Sequence, residues 1–157
     1  MNGAGRVRGG RLRDAAATEA LGARLARVLQ PGDLVLLEGP LGAGKTTVVR
    51  GLVAALGGDP CEVCSPTFVL LESYAVPGGA IVRVHHADLY RLRGRGGAPL
   101  DEVGLGDALD DPAAVTAVEW PESWSWLGGL ARRVCRVRLD YRDDERDASV
   151  EWSVPPL

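Results

Sequence analysis

The chain has 157 residues, 46% of them hydrophobic and 25% charged, which is typical of one globular domain. Its net charge of −3 argues against a broad electrostatic surface for nucleic acid. No apolar run is long enough to span a bilayer and no secretory signal pattern is evident, so we expect a cytoplasmic protein. The three cysteines are an odd number and are expected to be free thiols.

The first residues predict a tail followed by a helix. Residues 1–13 are rich in glycine and arginine and have no hydrophobic period, so we predict a disordered tail there and one domain over residues 14–157. Asp14 is expected to cap a helix that ends near Leu29, because leucine and valine recur along one face of that segment.

The strongest motif follows a short apolar run, residues 34–37, which predicts a strand buried on both faces. Residues 39–46 have the pattern G-x-x-x-x-G-K-T of a phosphate-binding loop, and a helix is expected over residues 46–56. Lys45 is the single lysine among 18 basic side chains. A compact ammonium reaches into such a loop, whereas a planar guanidinium is too broad. The chain is therefore predicted to bind ATP or GTP.

Each residue type in this loop has a physical task. The ammonium neutralises the β- and γ-phosphates, backbone amides cradle them, and glycine permits the close approach of the backbone. The hydroxyl of Thr46 is expected to bind Mg²⁺. The predicted phosphate-binding residues are Gly39, Gly42, Ala43, Gly44, Lys45, Thr46 and Thr47.

The rest of the chain alternates apolar segments with glycine-rich turns. Strands are expected over residues 68–76, 81–87, 114–119, 134–141 and 148–152, with hairpins joining the first two and the last two. Residues 91–99 predict a mobile loop, and residues 100–109 predict short helical turns. The sum is a single α/β domain with a mixed sheet flanked by helices; the order of its strands does not follow from the sequence.

Two carboxylates stand at the ends of predicted strands. Asp88 and Glu119 each follow an apolar run, which is where Mg²⁺ ligands accompany a phosphate-binding loop. On pattern alone each is equally consistent with a surface carboxylate. Together with the loop, Thr46, Asp88 and Glu119 are the candidate metal ligands, and Lys45, Asp88 and Glu119 are the candidate catalytic residues.

Other polar and aromatic residues allow two interpretations each. The hydroxyls of Ser65 and Thr67 are placed to sense a γ-phosphate, or else belong to a plain Ser-Pro turn. One of the tryptophans at 120, 124 and 126 could stack on a base, although packing is their commoner use. Cys61 and Cys64 have zinc or redox spacing, but the adjacent His85 and His86 do not form the second ligand pair that zinc needs.

Several strings together resemble the TsaE family (formerly YjeE), the small ATPase of bacterial tRNA threonylcarbamoyladenosine synthesis. The resemblance covers about residues 12–152. It rests on residues 38–47, the S-P-T-F string at 65–68, E-S-Y at 72–74, H-A-D-L-Y-R-L at 86–92, E-V-G-L at 102–105 and E-W-P-E at 119–122. The loop is shared with many ATPases, whereas H-x-D-L-Y-R followed by E-W-P-E is specific to the family.

The resemblance implies a modified P-loop fold with ATP as the nucleotide. It implies that Thr46 and Glu119 bind Mg²⁺, that Asp88 supports hydrolysis, and that residues 65–68 form a nucleotide-sensing switch. Trp120 would flank the catalytic site, and the adenine would contact the N-terminal segment, with Thr18 as one contact.

The resemblance also implies protein partners. Members of the family act on a complex of TsaB and TsaD, so tRNA is involved indirectly, and their ATP hydrolysis is thought to reset that complex between turnovers. Hydrolysis is therefore expected to be weak without the partners.

Two other functions stay open from the sequence. A small-molecule kinase would use the arginine-rich residues 91–95 as a lid over phosphate, but a chain of this length has little room for an acceptor pocket. A nucleotide-gated adaptor would bind the nucleotide and not hydrolyse it.

Overall fold

The structure, a computed structural model, describes residues 7–65, 70–94 and 103–153. Its strands are β1 Gly10–Leu12, β2 Leu34–Glu38, β3 Leu71–Ala75, β4 Arg83–Asp88, β5 Ala114–Glu119, β6 Val134–Arg142 and β7 Glu145–Ser153. Its α-helices are α1 Ala15–Ala26, α2 Lys45–Ala55 and α3 Leu105–Asp110. Short 3-10 turns lie at Pro60–Glu62, Tyr90–Leu92 and Ser125–Leu130.

The strands form one mixed sheet in the order β1–β7–β6–β2–β5–β4–β3. β2 is parallel to both β5 and β6, and β4 is parallel to β5, whereas β1, β3 and β7 run antiparallel to their neighbours. The α/β fold with a mixed sheet and both predicted hairpins are therefore confirmed. Because parallel strands end at one edge, the loop after β2 lies beside the ends of β4 and β5.

The two faces of the sheet are covered differently. α1 and α2 cover one face, where Leu21, Leu25 and Leu52 join the larger core cluster. The other face is covered by α3 and the turn Ser125–Leu130, with Trp124 and Leu127 buried against the sheet. The apolar run of β2 is buried on both faces, as its composition predicts.

Glycines allow α1 and α2 to pack closely. A Cβ added to Gly22 would lie 2.1 Å from the carbonyl oxygen of Val48, and one added to Gly51 would lie 1.9 Å from that of Glu19. Both positions therefore require glycine for the observed approach of the two backbones. The crossing fixes α2, and with it the loop that precedes α2, against the rest of the domain.

The N-terminal boundary differs from the prediction. Residues 10–12 lie within the predicted tail, yet they form β1, which pairs with Arg146–Ala148 of β7. Leu12 is buried, and a single buried leucine is too weak a pattern to predict a strand. The ordered domain thus begins before Asp14, and residues 1–6 lie outside the described ranges.

Other boundaries agree to within a few residues. Asp14 caps α1 as predicted, with its Oδ1 accepting a hydrogen bond from the amide of Ala17 at 2.8 Å. α1 ends at Ala26 rather than near Leu29. Part of the predicted loop at 91–99 belongs to the turn Tyr90–Leu92, and residues 95–102 lie outside the described ranges. None of the helices in the described part of the chain is long and apolar enough to cross a membrane.

Candidate functional site

The loop between β2 and α2 has the backbone that its glycines allow. Gly39 has φ 148° and Gly44 has φ 108°, both in the region that favours glycine. A Cβ on Gly39 would lie 2.3 Å from the carbonyl oxygen of Leu139, so the loop passes directly over β6. Gly44 precedes α2, and the N-terminus of that helix therefore opens at the loop.

Lys45 is held inside the loop. Its side chain is 4% exposed, and its Nζ donates to the carbonyl oxygens of Gly39 at 2.5 Å and Pro40 at 2.9 Å. The same atom lies 4.1 Å from the ring centroid of Trp120. Burial lowers the pKa of Lys45, and the negative charge of Glu119 is the largest effect in the opposite direction. A partly desolvated ammonium of this kind attracts anions strongly.

Thr46 and Glu119 face each other across the site. The hydroxyl of Thr46, in the first turn of α2, lies 3.1 Å and 2.9 Å from the two carboxylate oxygens of Glu119. Glu119 ends β5 and is 3% exposed. The structure thus brings these two candidate metal ligands within hydrogen-bonding distance of each other.

Asp88 lies next to Glu119, since the two are register partners in the parallel pair β4–β5. Its Oδ2 accepts from the hydroxyl of Ser65 at 2.7 Å, and its Oδ1 accepts from the amide of Tyr90 at 2.9 Å. Ser65, predicted to belong to a switch, thus contacts a predicted catalytic carboxylate. Thr67, also predicted there, lies outside the described residues.

His86 and Tyr74 also belong to the site, although neither was among the residues predicted for it. The His86 ring is fully buried, with Nε2 2.5 Å from Glu119 Oε2 and Nδ1 3.2 Å from the Tyr74 hydroxyl. Burial raises the pKa of Tyr74 to about 12, so its hydroxyl keeps a proton to donate. The sequence does contain a signal for His86. Residues two apart on a strand share a face, so His86 is expected on the same face of β4 as Asp88.

A cavity of about 420 Å³, the loop cavity, brings most of these residues together. Its lining consists of Leu41, Gly42, Gly44, Lys45, Thr46, Thr47, Ser65, Asp88, Tyr90, Glu119 and Trp120. Gly39 is part of neither this lining nor that of the neighbouring cavity among the residues described; it accepts a hydrogen bond from Lys45 instead.

A second cavity of about 170 Å³, the side cavity, adjoins the first and shares Gly42, Gly44 and Thr47 with it. Its remaining lining residues are Leu12, Arg13, Asp14, Ala15, Thr18, Ala43, Asp144 and Arg146. Thr18, the predicted base contact, and Ala43 therefore lie here. The two cavities are therefore neighbours along the loop.

The β6–β7 hairpin supports the loop, which the sequence did not predict. The Tyr141 hydroxyl donates to the carbonyl oxygen of Leu41 at 2.5 Å, and Arg146 Nη2 donates to that of Gly42 at 3.4 Å. The Arg146 guanidinium lies 4.1 Å from the Tyr141 ring centroid. These contacts join residues about 100 positions apart, so no local sequence pattern predicts them.

The three tryptophans near the site have different surroundings. Trp120 has φ 60°, an uncommon value for a bulky residue, and its ring meets that of Tyr90 edge-on at 4.9 Å. Trp124 is buried in the core, as the packing interpretation expected. Trp126 is 44% exposed and stacks on Trp124 at 5.9 Å. Only Trp120 of the three lines the loop cavity.

The cysteines show no metal site. Cys61 and Cys64 are exposed free thiols and Cys135 is a buried one, whose pKa burial raises to about 12. Within the described ranges, no group of three or more His, Cys, Asp and Glu side chains is placed to hold a metal. The spacing of Cys61 and Cys64 therefore has no partner ligands among these residues.

The side-chain oxygen atoms in the loop cavity suit a hard cation such as Mg²⁺, in contrast to the thiols that suit zinc. Mg²⁺ takes oxygen ligands, keeps several waters and is commonly held by one or two protein groups plus phosphate oxygens. Thr46 and Glu119 offer a hydroxyl and a carboxylate that already point at each other. The residues present fit Mg²⁺ with a nucleotide, although they form no closed protein cage.

Comparison with known proteins identifies the family of the chain. The sequence model of TsaE, the threonylcarbamoyl adenosine biosynthesis protein, matches residues 12–149. The tRNA threonylcarbamoyladenosine biosynthesis protein TsaE of Streptomyces coelicolor is 46% identical over 124 residues, which are 79% of this chain and 76% of that protein. The protein of the same name from Mycobacterium tuberculosis H37Rv is 37% identical over 145 residues, or 86% and 81% of the two chains.

A solved structure extends the likeness to the fold. The crystal structure of YdiB from Bacillus subtilis superposes with a TM-score of 0.65 at 28% sequence identity, covering 93% of this chain and 84% of that one. The family model spans most of the chain, and the relatives exceed 30% identity over most of both sequences. The chain therefore belongs to the TsaE family of threonylcarbamoyl adenosine biosynthesis proteins.

Proposed function

We propose that this protein is an Mg²⁺-dependent ATPase that acts on a TsaB–TsaD complex during threonylcarbamoyladenosine modification of tRNA. One observation carries the proposal: a buried ammonium and a hydroxyl–carboxylate pair face one cavity at the N-terminus of α2. Family membership supplies the pathway. The protein would work in the cytoplasm with tRNA as its indirect partner.

The loop cavity is the proposed phosphate site. The positive end of α2 and the loop amides attract anionic oxygens, and Lys45 adds a full charge with a short reach. Burial of Lys45 makes this attraction stronger than it would be at an exposed position. The ammonium would exchange the carbonyl oxygens of Gly39 and Pro40 for phosphate oxygens.

The side cavity is the proposed site of the adenosine end. It shares Gly42, Gly44 and Thr47 with the loop cavity, so a nucleotide whose phosphates fill the loop cavity would extend towards it. Thr18 from α1 and Arg146 from the β6–β7 hairpin both line it. Its lining mixes apolar residues with charged and hydroxyl side chains, which suits the flat face of a base together with the hydroxyls of a ribose.

Thr46 and Glu119 are the proposed Mg²⁺ ligands. A bound Mg²⁺ would neutralise charge on the β- and γ-phosphates. Asp88 lies beside Glu119 and is held by Ser65 and the amide of Tyr90, which fixes one carboxylate for the attacking water. Ser65 begins the proposed switch, since the segment that follows it joins the site to β3.

Steady-state phosphate release with and without TsaB and TsaD tests the proposal. We expect slow release by the protein alone and strong stimulation by the pair. A rate that is indifferent to the pair would contradict the proposed partners, and no release under either condition would leave a nucleotide-gated adaptor as the function.

A small-molecule kinase is the second candidate because Arg93 packs on two aromatic rings that line the loop cavity. Its guanidinium carbon is 3.6 Å from the ring centroid of Tyr90 and 5.3 Å from that of Trp120. Part of the predicted arginine lid lies outside the described residues. Incubation with γ-labelled ATP and candidate metabolites separates the two: label in free phosphate supports the ATPase, and label on a metabolite supports the kinase.

A further inference from the structure

A chain of hydrogen-bonded groups leads from Glu119 into the protein. Glu119 Oε2 contacts His86 Nε2 at 2.5 Å, His86 Nδ1 contacts the Tyr74 hydroxyl at 3.2 Å, and that hydroxyl lies 3.4 Å from the carbonyl oxygen of Cys64. We call these four residues the Glu119 chain. Its members come from β5, β4, β3 and the segment that precedes Ser65.

The far end of the Glu119 chain, Cys64, lies next to another residue of the site. Cys64 is followed by Ser65, whose hydroxyl donates to Asp88 at 2.7 Å. Asp88 in turn is the register partner of Glu119. The polar contacts of both carboxylates of the loop cavity thus lead to one short segment, residues 64–65.

The atoms of the chain settle which group donates. A carboxylate only accepts, so the proton between Glu119 and His86 belongs to Nε2 of the imidazole. An imidazole with its proton on Nε2 accepts at Nδ1, so the single proton of the Tyr74 hydroxyl goes to Nδ1, and the 3.4 Å approach of that hydroxyl to the Cys64 carbonyl oxygen is a polar contact without a donated proton. With one ring nitrogen on Glu119 and the other on Tyr74, the orientation of the ring is fixed from both sides.

The contact with His86 restricts the direction of the Glu119 carboxylate. Glu119 is 3% exposed and His86 is 0% exposed, so water has little access to replace the bond. The same Oε2 lies 2.9 Å from the Thr46 hydroxyl. His86 and Thr46 therefore hold the same carboxylate oxygen between them.

We propose that His86 is a positioning residue that aims the Glu119 carboxylate at Thr46, with Tyr74 fixing the His86 ring. The proposal rests on the proposed function in one respect, that Glu119 serves as an Mg²⁺ ligand. Partners that orient a metal-binding side chain typically change metal affinity or activity by 10–100-fold when removed. His86 is therefore part of what makes Glu119 competent to bind the ion, without touching the nucleotide itself.

Two substitutions at position 86 separate positioning from space filling. The amide nitrogen of glutamine reaches about as far as Nε2 of histidine, whereas that of asparagine reaches only as far as Nδ1. H86Q thus keeps a donor for Glu119, and H86N loses it. Both remove the aromatic ring from its place 6.0 Å from the Tyr74 ring, so a packing role would make them similarly defective.

The neighbouring histidine provides a matched control. His85 points to the other face of β4 with the same kind of pairing: its Nδ1 lies 2.7 Å from the Ser73 hydroxyl and its Nε2 lies 2.9 Å from Asp111 Oδ2. It contacts no residue of the loop cavity in these pairs. H85Q makes the same chemical change one position away.

The first measurement is the Mg²⁺ dependence of nucleotide binding, by calorimetry with a non-hydrolysable ATP analogue. For H86N we expect the half-saturating Mg²⁺ concentration to rise by on the order of 10-fold, with Mg²⁺-free affinity unchanged. H86Q should recover most of the loss, and H85Q should match the wild type. Equal defects in H86N and H86Q, or wild-type Mg²⁺ dependence in a folded H86N, would overturn the proposal.

Y74F is the second variant, because it keeps the ring and removes only the hydroxyl. We expect it to raise the half-saturating Mg²⁺ concentration less than H86N does, since the bond from His86 to Glu119 remains. It serves as the deciding variant if H86N does not fold. A Y74F protein with unchanged Mg²⁺ dependence would then contradict the proposal.

A crystal structure of H86N without nucleotide makes the outcome independent of the proposed function. Positioning predicts that the Glu119 carboxylate turns away from Thr46 in H86N and faces it in H86Q. If the wild type shows no Mg²⁺-dependent nucleotide binding, the proposed function fails, and these two structures still decide the role of His86. An unmoved Glu119 in H86N would overturn it.

Discussion

At the scale of single residues, the site depends on side chains that are buried before any ligand arrives. Lys45, Asp88 and Glu119 are each less than a tenth exposed. Carbonyl oxygens, hydroxyl groups and an imidazole contact these charged groups. Groups fixed in this way need little reorganisation when a charged ligand binds.

Lys45→Ala should weaken nucleotide binding, and Lys45→Arg should fail to restore it. The ammonium fits between the carbonyl oxygens of Gly39 and Pro40, and a planar guanidinium is too broad for that space. Calorimetric titration with ATP and Mg²⁺ measures both variants. Wild-type affinity in Lys45→Arg would show that charge alone is sufficient.

Glu119→Gln should lower phosphate release by at least about 100-fold while leaving the fold intact. The amide keeps an oxygen to accept from His86 but loses the negative charge that Mg²⁺ needs. Asp88→Asn is expected to act in the same direction through the attacking water. Phosphate release with TsaB and TsaD, together with the circular dichroism of each variant, checks this. Wild-type rates in both variants would remove the two carboxylates from the mechanism.

At the scale of secondary-structure elements, the position of the loop depends on how α1 and α2 cross. Gly22 and Gly51 permit the contact, and α2 carries the loop at its N-terminus. A change in the crossing would therefore move Lys45, although neither glycine is among the described residues that line the loop cavity or the side cavity.

Gly51→Ala should destabilise the fold by about 1–3 kcal/mol, because its Cβ meets the backbone of Glu19 and the helices must separate. Gly79→Ala is the matched control, since nothing lies within 4 Å of a Cβ there. Urea denaturation of both variants gives the difference in unfolding free energy. Equal stability of the two variants would mean that the crossing relaxes without cost.

Asp111 ties β4 to the connection between α3 and β5. It accepts from Arg83 at 2.8 Å and 3.0 Å and contacts His85, and the hydrogen bond from Arg83 is the largest cause that holds the pKa of its carboxyl well below the usual 3.8. A depressed pKa adds stability that is present above pH 3.8 and is lost as the pH falls below it.

Asp111→Asn should therefore show a smaller loss of stability between pH 4 and lower values than the wild type. The measurement is the unfolding midpoint in urea across that range. Parallel pH profiles for the two proteins would show that the carboxylate contributes nothing to the loss of stability at acidic pH. The effect is modest because Arg83 is exposed.

At the scale of the whole molecule, the sequence predicts best what is local. The loop, α2 and the apolar strands follow from spacing and composition, and Asp88 and Glu119 follow from their places after those strands. The residues that hold the loop and Glu119 in place do not follow from local pattern. Tyr141 and Arg146 contact the loop from the last hairpin, and His86 contacts Glu119 from the neighbouring strand. Strand order and β1 depend equally on pairing between distant segments, which a linear pattern does not encode.

The cysteines offer a test of the fold as a unit. Cys61 and Cys64 are exposed, and Cys135 lies in the core on β6. We expect two thiols to react with Ellman's reagent in the native protein and the third to react only at the rate of global opening. Rapid reaction of all three thiols would mean that β6 is accessible without unfolding.

The side cavity is walled by Thr18 from the first helix and by Arg146 from the last hairpin, which lie far apart in the chain and adjacent in space. A nucleotide bound there would contact both α1 and the last hairpin, and would therefore link the beginning of the domain to its end. Unfolding that starts from either end would then have to release the ligand first. The bound protein should accordingly resist proteases and heat in proportion to the logarithm of nucleotide concentration.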